Sequence, residues 1–103
     1  MFELHHLTAQ ELWDWIRRGD ATAREVTDHY LARIERLDAD LGAFVTVTAE
    51  AARDRADHLG DLVPTSRPLW GLPSGDKDLY DRSGVPTRSG TASLPERPAT
   101  VDH

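Results

Sequence analysis

Cysteine is absent from this chain, lysine occurs once, and no apolar run comes near the roughly 20 residues of a membrane span. The first absence excludes disulfides, thiolate zinc sites, iron–sulfur clusters and cysteine nucleophiles together. Positive charge is also scarce: 12 basic residues face 18 acidic ones, for a net charge of −6. That balance speaks against a phosphate-backbone binder, which needs a basic face, and against docking on anionic lipid. The opening Met1-Phe2-Glu3-Leu4-His5-His6 lacks the basic-then-apolar order of a signal peptide. A cytoplasmic protein with no membrane and no direct nucleic-acid partner is expected. Its 103 residues allow one small domain, and a mean hydropathy of −0.53 is ordinary for a soluble chain.

Helix signals dominate the first sixty residues. Thr8-Ala9-Gln10-Glu11 fits a capping box, in which hydroxyl and carboxylate each satisfy an orphan backbone N–H. Leu7 and Leu12 are placed to staple it, Leu12, Trp15 and Ile16 share a face, and Gly19 supplies the stop. Thr22-Ala23-Arg24-Glu25 repeats the box ahead of a stripe of Val26, Tyr30, Ile34, Leu37 and Leu41, with Gly42 at the left-handed C-cap position. Two such helices in succession predict an αα-hairpin whose stripes must be covered. Residues 43–48, Ala-Phe-Val-Thr-Val-Thr, read as a short strand. A third helix, capped by Thr48 and running to about Leu59, carries Ala49, Ala52, Ala56 and Leu59 on a narrow face suited to lying flat on a sheet.

The composition changes at Gly60. From there on lie all six prolines and five of the seven glycines. Leu69-Trp70-Gly71-Leu72 and Leu79-Tyr80 read as pieces of buried strand in an otherwise loop-like segment. The domain reading is therefore one incomplete unit, 1–103, helical with one short strand over 1–60 and strand-loop over 61–103.

Lys77 stands alone against eleven arginines. Arginine stays charged at any accessible pH, whereas burial can strip a lysine of its proton, so a task needing a neutral amine falls to lysine. Around it runs Leu69-Trp70-Gly71-Leu72-Pro73-Ser74-Gly75-Asp76-Lys77-Asp78, followed by Gly84-Val85-Pro86-Thr87. This resembles the amidase signature family, where a Gly-apolar-Pro segment runs into a Lys-Asp pair and on to a Gly-apolar-Pro-Thr turn. The resemblance extends backwards through the alanine-rich helix, the 43–48 segment, the helix from Asp20 to Gly42 and the Leu7–Leu12 opening, covering about residues 4–102.

The resemblance implies an α/β fold in which these helices and a few strands form part of a larger mixed sheet. It implies a serine hydrolase of carboxamide C–N bonds, either a small-amide hydrolase or the amide-hydrolysing subunit of a tRNA-dependent amidotransferase. One serine attacks the carbonyl, a second relays the proton, and a buried lysine, here Lys77, is the base. The family's serines lie in a Gly/Ser-rich segment well downstream of the lysine. Ser74, Ser83, Ser89 and Ser93 do not match that segment, so this chain alone is expected to be inactive and to be the N-terminal piece of a longer protein. Asp76 and Thr91 depart from the usual residues at their positions. Asp76 and Asp78 would raise the lysine's pKa if they faced it, and strand alternation puts both on the opposite face. A small amide substrate is expected only with the C-terminal region present, and self-association or a partner subunit is the other expected interaction. The alternative function is a non-catalytic fragment that serves as an interaction module or has no function.

No cofactor or metal is expected. His5 and His6 would point apart in an extended segment, His29 and His58 fall on different helices, His103 is terminal, and none shows metal-site helical spacing. Asp76, Asp78 and Asp81 fail the calcium-loop pattern and bracket a lysine. Gly71, Gly75, Gly84 and Gly90 form no phosphate-binding motif. Of the tryptophans, Trp15 is expected in the core, while Trp13 points elsewhere and suits a contact with a further domain or subunit.

Overall fold

The computed structural model describes residues 3–59, 66–67, 69–77 and 83–86. It divides into two compact units, 1–73 and 74–103.

The first unit is helical. A 3-10 turn, Leu4–His6, precedes helix α1, Ala9–Arg18, helix α2, Ala23–Leu41, and helix α3, Ala49–Asp57. The capping box of α1 forms in full. Thr8 Oγ1 accepts the Glu11 N–H at 3.2 Å, and Glu11 Oε1 accepts the Thr8 N–H at 2.9 Å. Gly19 closes α1 in the left-handed conformation, with φ 82°. The second box forms by half. Thr22 Oγ1 accepts the Glu25 N–H at 3.0 Å, but the Glu25 carboxylate takes the Thr22 hydroxyl proton at 3.3 Å instead of the backbone N–H. Gly42 ends α2 with φ 61°, its N–H donating to the Asp38 carbonyl at 2.7 Å.

The core is small and lies where α1 meets the start of α2. Leu12, Ile16, Ala21 and Val26 are buried, and Leu4, Leu7, Trp15, Tyr30 and Leu72 pack around them. The apolar stripe of α2 thus divides. Val26 is sealed completely and Tyr30 and Ile34 are half-buried, whereas Leu37 and Leu41 are exposed at 36% and 71%. Burying a side chain like Val26 contributes on the order of 1.5–3 kcal/mol, so a handful of residues supplies most of the unit's apolar stabilisation.

Three expected features are corrected. Residues 43–48 form no strand but open chain with a bend at Val45. Their β-branched composition measures fitness for a pleated, half-buried surface, and no neighbouring ladder is present among the described residues. The Ala43 and Phe44 N–H groups donate to Asp38 Oδ1 at 2.7 and 3.2 Å, and Phe44, Val45 and Val47 stay exposed. Helix α3 packs against α2, with no sheet beside it among the described residues, and Thr48 occupies its N-cap position without a side-chain hydrogen bond. Residues 69–72 are turn and open chain instead of strand. The Trp70 and Leu72 N–H groups close turns on the Arg67 and Leu69 carbonyls at 3.1 Å each, and Leu69 is 72% exposed. The expected Leu79-Tyr80 strand and the Gly60 helix stop lie outside the described residues. In the second unit, Ser83, Val85 and Pro86 form isolated β-bridges around Gly84. No helix among the described residues is long and apolar enough to cross a membrane.

Candidate functional site

The segment leading to Lys77 is anchored through Gly71 and Leu72. Gly71 adopts φ 82°, a region that side-chain-bearing residues avoid, and a Cβ there would stand 3.2 Å from both Ala23 Cβ and Ile16 Cδ1. The turn can therefore lie directly on α1 and the start of α2, and Leu72 joins the core cluster. Beyond Pro73 the second unit begins with irregular backbone through Ser74, Gly75, Asp76 and Lys77. Lys77 is exposed, as is Asp76. The burial of the amine that the resemblance implies is not seen among the described residues. Asp78, Asp81, Thr87, Ser89, Gly90, Thr91, Ser93 and His103 lie outside the described residues.

Two polar clusters of the first unit escaped the sequence reading. The first ties α2 to α3. The Asp28 carboxylate accepts from Arg24 Nε at 2.9 Å and from Arg53 Nε at 2.8 Å, and Arg24 Nη1 reaches Asp57 Oδ2 at 2.6 Å. The bonds from Arg53 and Arg24 hold the Asp28 carboxyl below its ordinary 3.8, and Asp28 in turn raises Arg24. Arg24 and Asp28 were legible as a helical i, i+4 pair, but nothing local announces Arg53 or Asp57 as their partners.

The second cluster brings together histidines 24 positions apart. His5 Nδ1 lies 3.0 Å from His29 Nε2, with ring planes 14° apart and centroids at 5.2 Å. Arg33 Nη1 lies 3.0 Å from His5 Nε2, and Glu3 Oε2 is 3.4 Å from the same nitrogen. Because the 4–6 segment coils instead of extending, the His5 and His6 rings meet edge to face at 4.4 Å and do not point apart. Glu3, His5 and His6 can bring ligand atoms within 4.8 Å of one another. The Arg33 guanidinium on His5 Nε2 already occupies that nitrogen's lone pair with a positive group, so the cluster is a hydrogen-bond network and we do not assign it as a cation site.

Trp15 packs on the core as expected. Trp13 is half-buried beneath Arg17, whose guanidinium carbon lies 5.4 Å from the ring centroid, and its indole N–H is shielded with no acceptor among the described residues.

Known proteins resemble the chain over nearly its whole length. It is 39% identical to the glutamyl-tRNA(Gln) amidotransferase A-subunit of Alcanivorax borkumensis, over 88% of this chain and 20% of the relative. With the protein of the same name from Psychrobacter cryohalolentis the identity is 36%, over 91% and 19%. The chain thus spans about a fifth of the length of these curated relatives. Its fold superposes with a TM-score of 0.81, at 35% identity, on a chain from a vestigial protein complex described as revealing the evolutionary origins of an s-triazine catabolic enzyme, over 93% of this chain and 22% of that one. The sequence profile of the amidase family matches residues 25–103, a stretch that includes Lys77. The chain belongs to the amidase family.

Proposed function

We propose that this chain is the N-terminal part of a cytoplasmic amidase-type serine hydrolase that cleaves a carboxamide C–N bond. In this reading the complete protein is α/β, Lys77 is the base of a Ser-Ser-Lys triad, and both serines lie outside these 103 residues. The observation that carries it is the amidase-family match over residues 25–103, a stretch that contains the Gly71-Leu72-Pro73 and Lys77-Asp78 segments by which the sequence resembles the amidase signature family. The chemistry is consistent with a neutral amine: it takes the proton from the serine pair as the carbonyl is attacked, and returns one to the departing amine. Lys77 is exposed here, so the remaining sheet and catalytic segment would have to cover it, desolvating the amine and favouring its neutral form. The substrate, a small amide, would be selected mostly by residues of that remaining portion.

Joining residues 1–103 to the rest of an amidotransferase relative, such as that of Alcanivorax borkumensis, tests the reading. The fusion should release ammonia from a primary carboxamide, and Lys77→Ala should lower the rate by about 10²-fold or more without lowering thermal stability. A Lys77→Ala fusion as active as its parent would remove Lys77 from the mechanism.

A second reading, an interaction module, is favoured by the exposed apolar set Leu37, Leu41, Phe44, Val45 and Val47. It would bind a partner protein or a second copy, and Lys77→Ala would leave that binding intact.

A further inference from the structure

We propose that Glu3, His5, His29 and Arg33 form a proton-sensitive latch, which holds the N-terminal turn on α2 while His5 is neutral and loosens it when His5 takes a proton. The hydrogen-bond directions carry the argument. Arginine can only donate, so His5 Nε2, 3.0 Å from Arg33 Nη1, must accept. The His5 proton therefore sits on Nδ1 and is donated to His29 Nε2 at 3.0 Å, which puts the His29 proton on Nδ1. One neutral histidine thus makes two bonds to α2, to residues one helical turn apart, and its side chain is only 17% exposed. A proton added at Nε2 turns that acceptor into a donor facing the Arg33 guanidinium. Glu3 Oε2, 3.4 Å away and outside α2, is then placed to accept it. Protonation exchanges a bond to the helix for one within the N-terminal segment and sets imidazolium against guanidinium. A proton on His29 Nε2 has the same effect on the other bond, placing donor against donor.

The charged and titratable groups facing His5 among the described residues are Glu3 and His6 from its own segment and His29 and Arg33 from α2. Burial lowers the His5 pKa from its ordinary 6.5, Arg33, His6 and His29 add to the lowering, and Glu3 alone opposes it. Unfolded or undocked, His5 would titrate near 6.5 and bind the proton more readily than in the docked turn. The docked form is therefore fully favoured above 6.5 and loses ground as the pH falls below it. Leu4 and Leu7 flank the latch and pack on the core cluster, so loosening the turn also uncovers part of that cluster.

The test is imidazole and amide nuclear magnetic resonance on the complete 103-residue chain, titrated from about pH 8 to about pH 5. At the alkaline end His5 should show the Nδ1–H tautomer. On acidification the amide signals of Leu4, His5, His6 and Leu7 should shift, and their exchange protection fall, with the midpoint of His5 itself, below 6.5. Arg33→Gln should move that midpoint up, and Glu3→Gln should move it down. An Nε2–H tautomer at alkaline pH, turn amides unmoved through the His5 titration, or a midpoint indifferent to Arg33→Gln would each overturn the latch.

Discussion

Gly71 and Ile16 are separated by less than a side chain: a Cβ built on Gly71 would stand 3.2 Å from Ile16 Cδ1 and 3.5 Å from its Cγ2. The residues that introduce the lysine segment are thereby fixed to the helical core of the first unit. Gly71→Ala should cost about 1–2 kcal/mol for the left-handed backbone alone, and more for displacing Ile16 and Ala23. Gly19 shares the φ of 82° but has nothing within 4 Å of its Cβ position, so Gly19→Ala should cost the backbone share only. Urea unfolding of both variants measures the difference.

The same core predicts an asymmetry along α2. Val26 is fully buried, and Val26→Ala should destabilise the chain by about 2 kcal/mol through lost burial and an incompletely filled cavity. Leu41→Ala, at a position 71% exposed, should fall within about 0.5 kcal/mol of the parent. Thermal or urea denaturation distinguishes them.

The two helix caps differ in a way that mutation can read. Thr8→Ala and Thr22→Ala should each cost about 1 kcal/mol, since each hydroxyl satisfies an N–H of its helix. Glu11→Ala should cost more than Glu25→Ala, because Glu11 holds the Thr8 N–H whereas Glu25 holds only a hydroxyl that water can serve. Urea unfolding of the four variants ranks them.

Asp28 should titrate below 3.8 in a carboxyl carbon resonance titration, the Arg53 bond being the foremost cause and the Arg24 bond the next. Its folded form favours the carboxylate, so the stabilisation is present above 3.8 and disappears as the pH falls through the lower folded value. Arg24→Gln and Arg53→Gln should each return the midpoint toward 3.8. Raising the salt concentration should do so too, because these side chains are 40–46% exposed.

Local signals were the legible ones. Thr8, Glu11, Gly19, Thr22 and Gly42 bracket α1 and α2 because a cap needs only residues within one turn, and the sequence displays them side by side. Residues 43–48 misled for the complementary reason. Phe44, Val45 and Val47 have the composition of a strand, but a strand is made by its neighbour, and among the described residues the Ala43 and Phe44 N–H groups find the Asp38 carboxylate instead. Distance in sequence likewise concealed the His5–His29 bond and the Arg53–Asp28 bond, since no periodicity rule links 5 to 29 or 28 to 53. Lys77 stood out by a different route. Its rarity and its flanking Gly-apolar-Pro motif mark it in the sequence, while its exposed position in this chain would not have singled it out.

The central claim is that Lys77 acts as a base, and Lys77→Arg in the fusion of residues 1–103 to the remainder of an amidotransferase relative tests it most directly. Arginine keeps the length and the charge but does not give up its proton. The account predicts a folded fusion that binds its amide and has lost about 10²-fold or more of its turnover. An arginine fusion that releases ammonia at the parental rate would contradict it, and would leave Lys77 as a positive charge with no part in proton transfer.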